Sequence, residues 1–160
     1  MATAADQWTT VKGPVRSKDG IVAAQHIRAA EAGAELLAQG GNAVDAAVAA
    51  ALALGAVEPW MCGIGGSGFM VVWLATEERA VALDFQGVLP RALTPDDYPI
   101  DASLPATSMG FPAVVNFANT QGARAVTVPG AVAGFDHALR RFGRKSLAET
   151  LQPAIRLYER

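Results

Sequence analysis

An α+β fold is the class this sequence predicts, from three features of its pattern. Residues 46–54 are apolar on every side and follow a capping signal, which makes a buried helix. Two short apolar runs, residues 69–74 and 80–85, are joined by the polar residues 76–79 and make an antiparallel hairpin. Helical patterns stand on either side of this unit. With 160 residues the chain has the length of one ordinary domain, enough to bury a core. A hydrophobic share of 51% against 18% charged predicts a folded chain rather than disorder.

Residues 1–20 are polar and without period, and are expected to form an extended arm. The apolar residues 21–24 predict a short strand. Residues 26–39 have helical character, with Ala30, Ala34 and Leu37 on one face and Glu31 and Glu35 on another. Gly40 suits the left-handed position that closes a helix. Asn42 then caps the next helix, and Asp45 at its third position favours the positive end of the dipole. Pro59 stops that helix, and Gly63, Gly65, Gly66 and Gly68 make a tight turn into the hairpin. Between Gly87 and Gly122 five prolines (Pro90, Pro95, Pro99, Pro105 and Pro112) predict a long irregular, site-forming loop. Residues 126–128 predict a short strand ended by Pro129 and Gly130. A helix over residues 131–141 should close at Gly143. Ser146 and Glu149 have the form of a capping box for a last helix, which Pro153 should kink or split. The pattern is still running at Leu157, Tyr158, Glu159 and Arg160, so the natural polypeptide is expected to continue.

Several function classes are excluded early. A net charge of -2 offers no attraction to nucleic acid or to an anionic membrane surface. The apolar stretch of 12 residues at 46–57 falls well short of the ~20 a bilayer requires, so no membrane span is expected. The first eight residues carry neither a basic n-region nor an apolar h-region. That is consistent with a cytoplasmic protein or with a leader already removed, and the compartment stays open. Cys62 is the sole cysteine, so no internal disulfide can form.

Gly63, Gly65 and Gly68 satisfy the spacing of a dinucleotide-binding motif. That motif must leave a strand and open a helix, so that the helix N-terminus meets the pyrophosphate. Here the order is reversed, helix first and strand second, and no cofactor is expected. Ser67 fails the nucleophile-elbow pattern because Phe69 stands where a glycine is needed. Cys62 lacks a histidine-bearing motif beside it and reads as a small buried side chain. His26 and His137 are far apart and make no metal site. Asp96 and Asp97 read as a solvated pair at a loop or helix start.

Five blocks, QGGNAVDAAV at 39–48, EPWMCGIGGSGFM at 58–70, LDF at 83–85, VPGAVAGF at 128–135 and QPAIRL at 152–157, occur in an order and spacing that resemble the gamma-glutamyltransferase family. The resemblance runs from about residue 20 to the end of the chain. It implies an N-terminal-nucleophile hydrolase with a four-layer αββα sandwich, of which residues 1–160 would be the N-terminal portion of a single domain. The helix after Asn42 would then lie against a sheet. It also implies a precursor that cleaves itself in front of a threonine. That threonine's hydroxyl becomes the nucleophile and its own amino group the base, since a hydroxyl is weak until an adjacent amine takes its proton. An acyl-enzyme would form on a small-molecule amide substrate, to be resolved by water or an acceptor amine. Thr94, Thr107, Thr120 and Thr127 are internal and match no processing site, so no catalytic residue is expected in this chain. Its partners would be the remaining large-subunit segment and the threonine-bearing small subunit.

One functional position falls inside the chain. Glutamyl-selective members of the family carry an Arg-Glu pair after the Leu-Asp-Phe strand, and the arginine grips the substrate's α-carboxylate. Here Gln86 and Gly87 occupy those positions. A glutamine lacks both the charge and the bidentate fork that match a carboxylate. The expectation is therefore a gamma-glutamyltransferase-like enzyme of weak glutamyl selectivity, with an acylase or amidohydrolase for another acyl group as the alternative. Arg91, five residues on, is the candidate substitute guanidinium, against the plainer reading of a solvated loop arginine. If the chain were complete it would lack a nucleophile, and would be a non-catalytic assembly or binding module.

Overall fold

The computed structural model describes residues 13–107 and 110–159. Its elements are helix α1 (Ile27–Ala38), helix α2 (Ala43–Val57), strand β1 (Gly68–Leu74), strand β2 (Arg79–Phe85), helix α3 (Ala131–Phe142) and helix α4 (Leu147–Tyr158). The fold is α+β, with four helices and one two-stranded sheet among the described residues. Those residues contain no second sheet. Helix α2 is packed between helices α1 and α4, and Met70 of β1 meets the cluster that includes its Val48 and Leu52.

Most of the arm expected at 1–20 lies outside the described residues, and residues 13–20 carry no regular element. The strand expected at 21–24 does not form. A strand is stabilised by the ladder of a neighbour, and no described strand lies beside this one. Instead Ala24 packs on the Ala29, Ala32 and Ala53 cluster and Val22 lies against Gly33.

Helix α1 buries Ala29, Ala32, Gly33 and Leu36, so its inner face is displaced from the expected Ala30, Ala34 and Leu37. The reason is close approach. A Cβ at Gly33 would sit 2.8 Å from the Ala46 carbonyl of α2, so only the glycine-bearing face lets the two backbones meet. Gly40, at φ +82, ends α1 in a Schellman motif: its N–H reaches the Leu37 carbonyl at 3.0 Å and the Gly41 N–H reaches that of Leu36 at 2.8 Å.

Asn42 caps α2 as expected, its Oδ1 accepting from the N–H groups of Val44 and Asp45, with Asp45 returning the bond to the Asn42 N–H at 2.6 Å. Helix α2 is buried along most of its length, but Ala43 and Ala47 remain exposed. Glu58 closes it just before Pro59. Val48 and Leu52 of α2, Leu139 of α3 and Ala154 of α4 form the main apolar cluster, with Met70, Phe135, Leu147 and Leu151 around it.

The hairpin is antiparallel with Gly68 opposite Phe85 and Leu74 opposite Arg79. Met70, Val72, Val81, Leu83 and Phe85 face inward, while Phe69, Val71 and Trp73 stand exposed on the opposite face. Residues 126–128 make a single bridge, Val88 to Val128, rather than a strand. Pro153 does not split the last helix, which runs unbroken through it. The carbonyl left without a helical donor belongs to Glu149, an exposed residue that water can reach.

The capping box at Ser146 is present, with Glu149 accepting from the Ser146 N–H at 2.8 Å and from its hydroxyl at 2.7 Å. Those bonds hold the Glu149 carboxyl below its ordinary value, the backbone N–H contributing most. Asp97 is lowered in the same way, first by the Thr94 N–H and then by its hydroxyl. A lowered folded-state pKa contributes stability above the unfolded value, and that stability is lost as pH falls through the folded one. Stability should therefore decline on acidification below the unfolded glutamate value of 4.5. Denaturant midpoints measured across that range should show a shallower decline for Glu149→Gln than for the parent; an unchanged slope would show that the box contributes nothing.

Candidate functional site

Gln86 is the first residue after β2, and its backbone is set locally. The Asp84 carboxylate accepts from the Gln86 N–H at 3.0 Å, an Asx turn that ends the strand. Gly87 then passes beneath Thr127, where a Cβ would overlap the threonine hydroxyl. The start of α3 closes on the same point. The Gly130 and Ala131 N–H groups donate to the Gly66 carbonyl at 3.1 and 3.0 Å, and a Cβ at Gly130 would overlap the Phe85 carbonyl. The glycine turn, the end of β2 and the N-terminus of α3 are thus drawn into one junction.

Ser67, the residue before β1, donates its hydroxyl to Gln86 Oε1 at 2.8 Å. It also lines a cleft of about 500 Å³ between the end of α2, the glycine turn and the start of α3. Leu52, Met61, Ile64, Phe69, Phe85 and Phe135 form its walls, with Cys62 and Ser67 as its polar side chains. No charged side chain lines it among the described residues. Phe85 and Phe135 meet edge to face with centroids 5.6 Å apart. The cleft can therefore hold an apolar group, and Ser67, one of its polar side chains, is also the hydrogen-bond partner of Gln86.

Arg91 lies in the loop after Gln86, with no hydrogen bond between the two side chains among the described residues. It is exposed in the turn that the Leu93 N–H closes on the Pro90 carbonyl at 2.9 Å, and it makes no hydrogen bond or ion pair among the described residues. The four threonines lie outside the cleft wall. Thr94 bonds Asp97, Thr107 accepts from the Phe111 N–H, Thr120 donates to the Phe117 carbonyl and Thr127 packs under Gly87. Cys62 is half-buried at the cleft rather than fully buried. His26 caps α1, its Nδ1 accepting from the Arg28 N–H at 3.1 Å. His137 lines a separate groove with Asp84 and Ala133. The glycine turn leads from a helix into a strand, so no helix N-terminus follows it to hold a phosphate.

Comparison with known proteins settles the ancestry. The Gamma-glutamyltranspeptidase family model matches residues 29–160. The chain belongs to the gamma-glutamyltranspeptidase family. Among this family's members, it is 42% identical over 153 residues to the Acylase ACY 1 proenzyme of Pseudomonas sp. (strain V22), covering 96% of this chain and 27% of that protein. It is 40% identical over 143 residues to the Glutathione hydrolase proenzyme of Bacillus subtilis (strain 168), covering 89% of this chain and 23% of that one. The solved gamma-glutamyltranspeptidase of Helicobacter pylori superposes with a TM-score of 0.75 at 37% identity, over 91% of this chain and 39% of that structure. The chain thus spans about a quarter of the length of these curated relatives.

Within this gamma-glutamyltranspeptidase-family fold, Gln86 is hydrogen-bonded to Ser67, a residue whose sequence context shows only that it fails the nucleophile-elbow pattern. The two are 19 positions apart. The signal that joins them is the hairpin register: once Gly68 faces Phe85, the next residues outward are Ser67 and Gln86.

Proposed function

We propose that this chain is the N-terminal part of a self-processing amide hydrolase or acyltransferase whose acyl group is not γ-glutamyl. The nucleophile is a threonine outside these residues, freed by cleavage of a precursor and activated by its own α-amino group. Backbone donors stabilise the tetrahedral oxyanion, and water or an amine resolves the acyl-enzyme. The remaining large-subunit segment and the threonine-bearing small subunit complete a four-layer αββα sandwich. The proenzyme names of two relatives and the likeness to a solved gamma-glutamyltranspeptidase support this reading.

The observation that carries the choice of acyl group is the side chain after β2. Gln86 is neutral, accepts from Ser67, and makes no hydrogen bond with an arginine among the described residues. A hydrogen bond to a charged group contributes about 1.5–3 kcal/mol, against about 0.5–1.5 for a neutral one. A glutamyl α-carboxylate placed here forgoes that difference, about tenfold in kcat/KM or more at roughly 1.4 kcal/mol per tenfold. The complete, processed enzyme is expected to turn over uncharged acyl anilides faster than the γ-glutamyl anilide. Gln86→Arg is expected to raise kcat/KM for the γ-glutamyl anilide by about tenfold or more. Rapid γ-glutamyl turnover by the unaltered enzyme, with no gain in the arginine variant, would defeat the proposal.

A further inference from the structure

We propose that Glu58 is an assembly anchor, whose buried carboxylate pairs with a cationic side chain, an arginine or lysine, of the polypeptide that completes the enzyme. The inference rests on the reading above that such a polypeptide exists, and names one contact it makes.

Glu58 is only 7% exposed. Its Oε2 is the one buried side-chain oxygen or nitrogen among the described residues that has no hydrogen-bond partner. None of the ion pairs among those residues involves Glu58. Taking a carboxylate out of water without a partner is costly, and folded proteins pair or hydrogen-bond such groups.

The position deepens the demand. Glu58 caps the C-terminus of α2, the negative end of the helix dipole, and no basic residue stands in the last turn. Donors close by in the chain are already spent: the Glu58 N–H goes to the Leu54 carbonyl, and the Met61 and Cys62 N–H groups go to the carbonyl of Glu58 itself. Asp45, the other buried carboxylate, shows the contrast. It stands at the opposite end of the same helix and accepts from the N–H groups of Asn42, Arg144 and Lys145. Glu58 has no such set, so its counter-charge comes from elsewhere.

The neighbours of Glu58 identify that source as protein. Trp60 and Met61 follow it in the chain and are 74% and 68% exposed. Tyr158, whose hydroxyl donates to the Gly55 carbonyl of α2 at 2.8 Å, is 64% exposed. Exposed Trp, Met and Tyr side chains beside an unpaired buried charge have the composition of an interface centre. A guanidinium suits it best, because its planar fork matches a carboxylate and its face stacks on aromatic rings.

The test uses the complete, processed enzyme. Its crystal structure should show a cationic side-chain nitrogen within about 4 Å of a Glu58 carboxylate oxygen. A water, a neutral donor or no donor there overturns the proposal. Unfolding midpoints give an independent answer through their sign. Removing one member of a buried ion pair destabilises, whereas removing an unpaired buried charge relieves a cost. Glu58→Met is therefore expected to lower the midpoint, and a raised or unchanged midpoint refutes the pair. Glu58→Gln should lower it too, because the cation loses its counter-charge. An unchanged Glu58→Gln midpoint, the result for a protonated carboxyl or a water contact, also refutes it. If Glu58→Met does not accumulate, the glutamine variant and the structure decide. Failure of the underlying reading looks different: the purified natural protein would then contain no polypeptide beyond this chain.

Discussion

Asp45→Ala is expected to cost about 3 kcal/mol or more, because it strips three buried backbone donors of their acceptor at about 1–3 kcal/mol each. The Asp45 side chain is completely buried. Its oxygens accept from the Asn42 N–H at 2.6 Å, the Arg144 N–H at 3.0 and 3.1 Å and the Lys145 N–H at 3.0 Å. No cationic side chain pairs with it among the described residues, so backbone dipoles balance the carboxylate. Glycines stand on both sides to make room. A Cβ at Gly41 would come within 3.1 Å of Oδ2, and one at Gly143 within 2.6 Å of Oδ1. Alanine would leave three backbone donors unmet, each costing about 1–3 kcal/mol if water cannot reach it. The neighbouring Asn42 amide reinforces the joint by donating to the Phe142 carbonyl at 2.6 Å. One side chain thus ties the start of α2 to the α3–α4 connection, about 100 residues along the chain. Urea unfolding of the complete protein would show the loss as a lowered midpoint. A shift within about 0.5 kcal/mol, the usual range for plain surface substitutions, would refute it.

The second large effect is expected at Gly130 and Gly134. Phe85 is caged by glycines: a Cβ at Gly134 would overlap its ring, one at Gly68 would come within 2.9 Å of Cε2, and one at Gly130 would overlap its carbonyl oxygen. Alanine at Gly130 or Gly134 should destabilise by about 1–3 kcal/mol through overpacking. The two differ in how they can be relieved. A ring can be trimmed, so Phe85→Leu should recover part of the loss in Gly134→Ala. A carbonyl cannot, so the same change should do nothing for Gly130→Ala. Double-mutant cycles from unfolding curves measure this coupling. Because Gln86 follows Phe85 directly, Gly130→Ala should also impair turnover of any substrate read by Gln86. Equal rescue at both positions would disprove the distinction between ring and backbone.

The features legible in the sequence were those decided within a few residues. The Asn42 cap, the Gly40 closure, the Ser146 box and the hairpin of residues 69–85 depend on neighbours in the chain, and each formed as its local chemistry required. Gln86 was legible as a departure at a motif position. What local pattern could not supply was anything decided by a distant partner. Residues 21–24 have strand chemistry but no described strand to join. The inner face of α1 was chosen by the contact of Gly33 with Ala46, not by the count of alanines. Pro153 was tolerated because the carbonyl it orphans is wet. Ser67, far from Gln86 in sequence, was carried to it by strand register.

Among the described residues, the hairpin that leads into Gln86 is a ribbon of two strands, a structure marginal on its own in water. Its root is clamped, by the α3 amides on Gly66 and by the caged Phe85, whereas its tip at Glu77 and Glu78 is exposed and held by the turn and an exposed Glu77–Arg79 ion pair. Stiffness therefore runs downhill from root to tip. The Gln86 carboxamide sits at the anchored end of this lever, where bending of the free end moves it least.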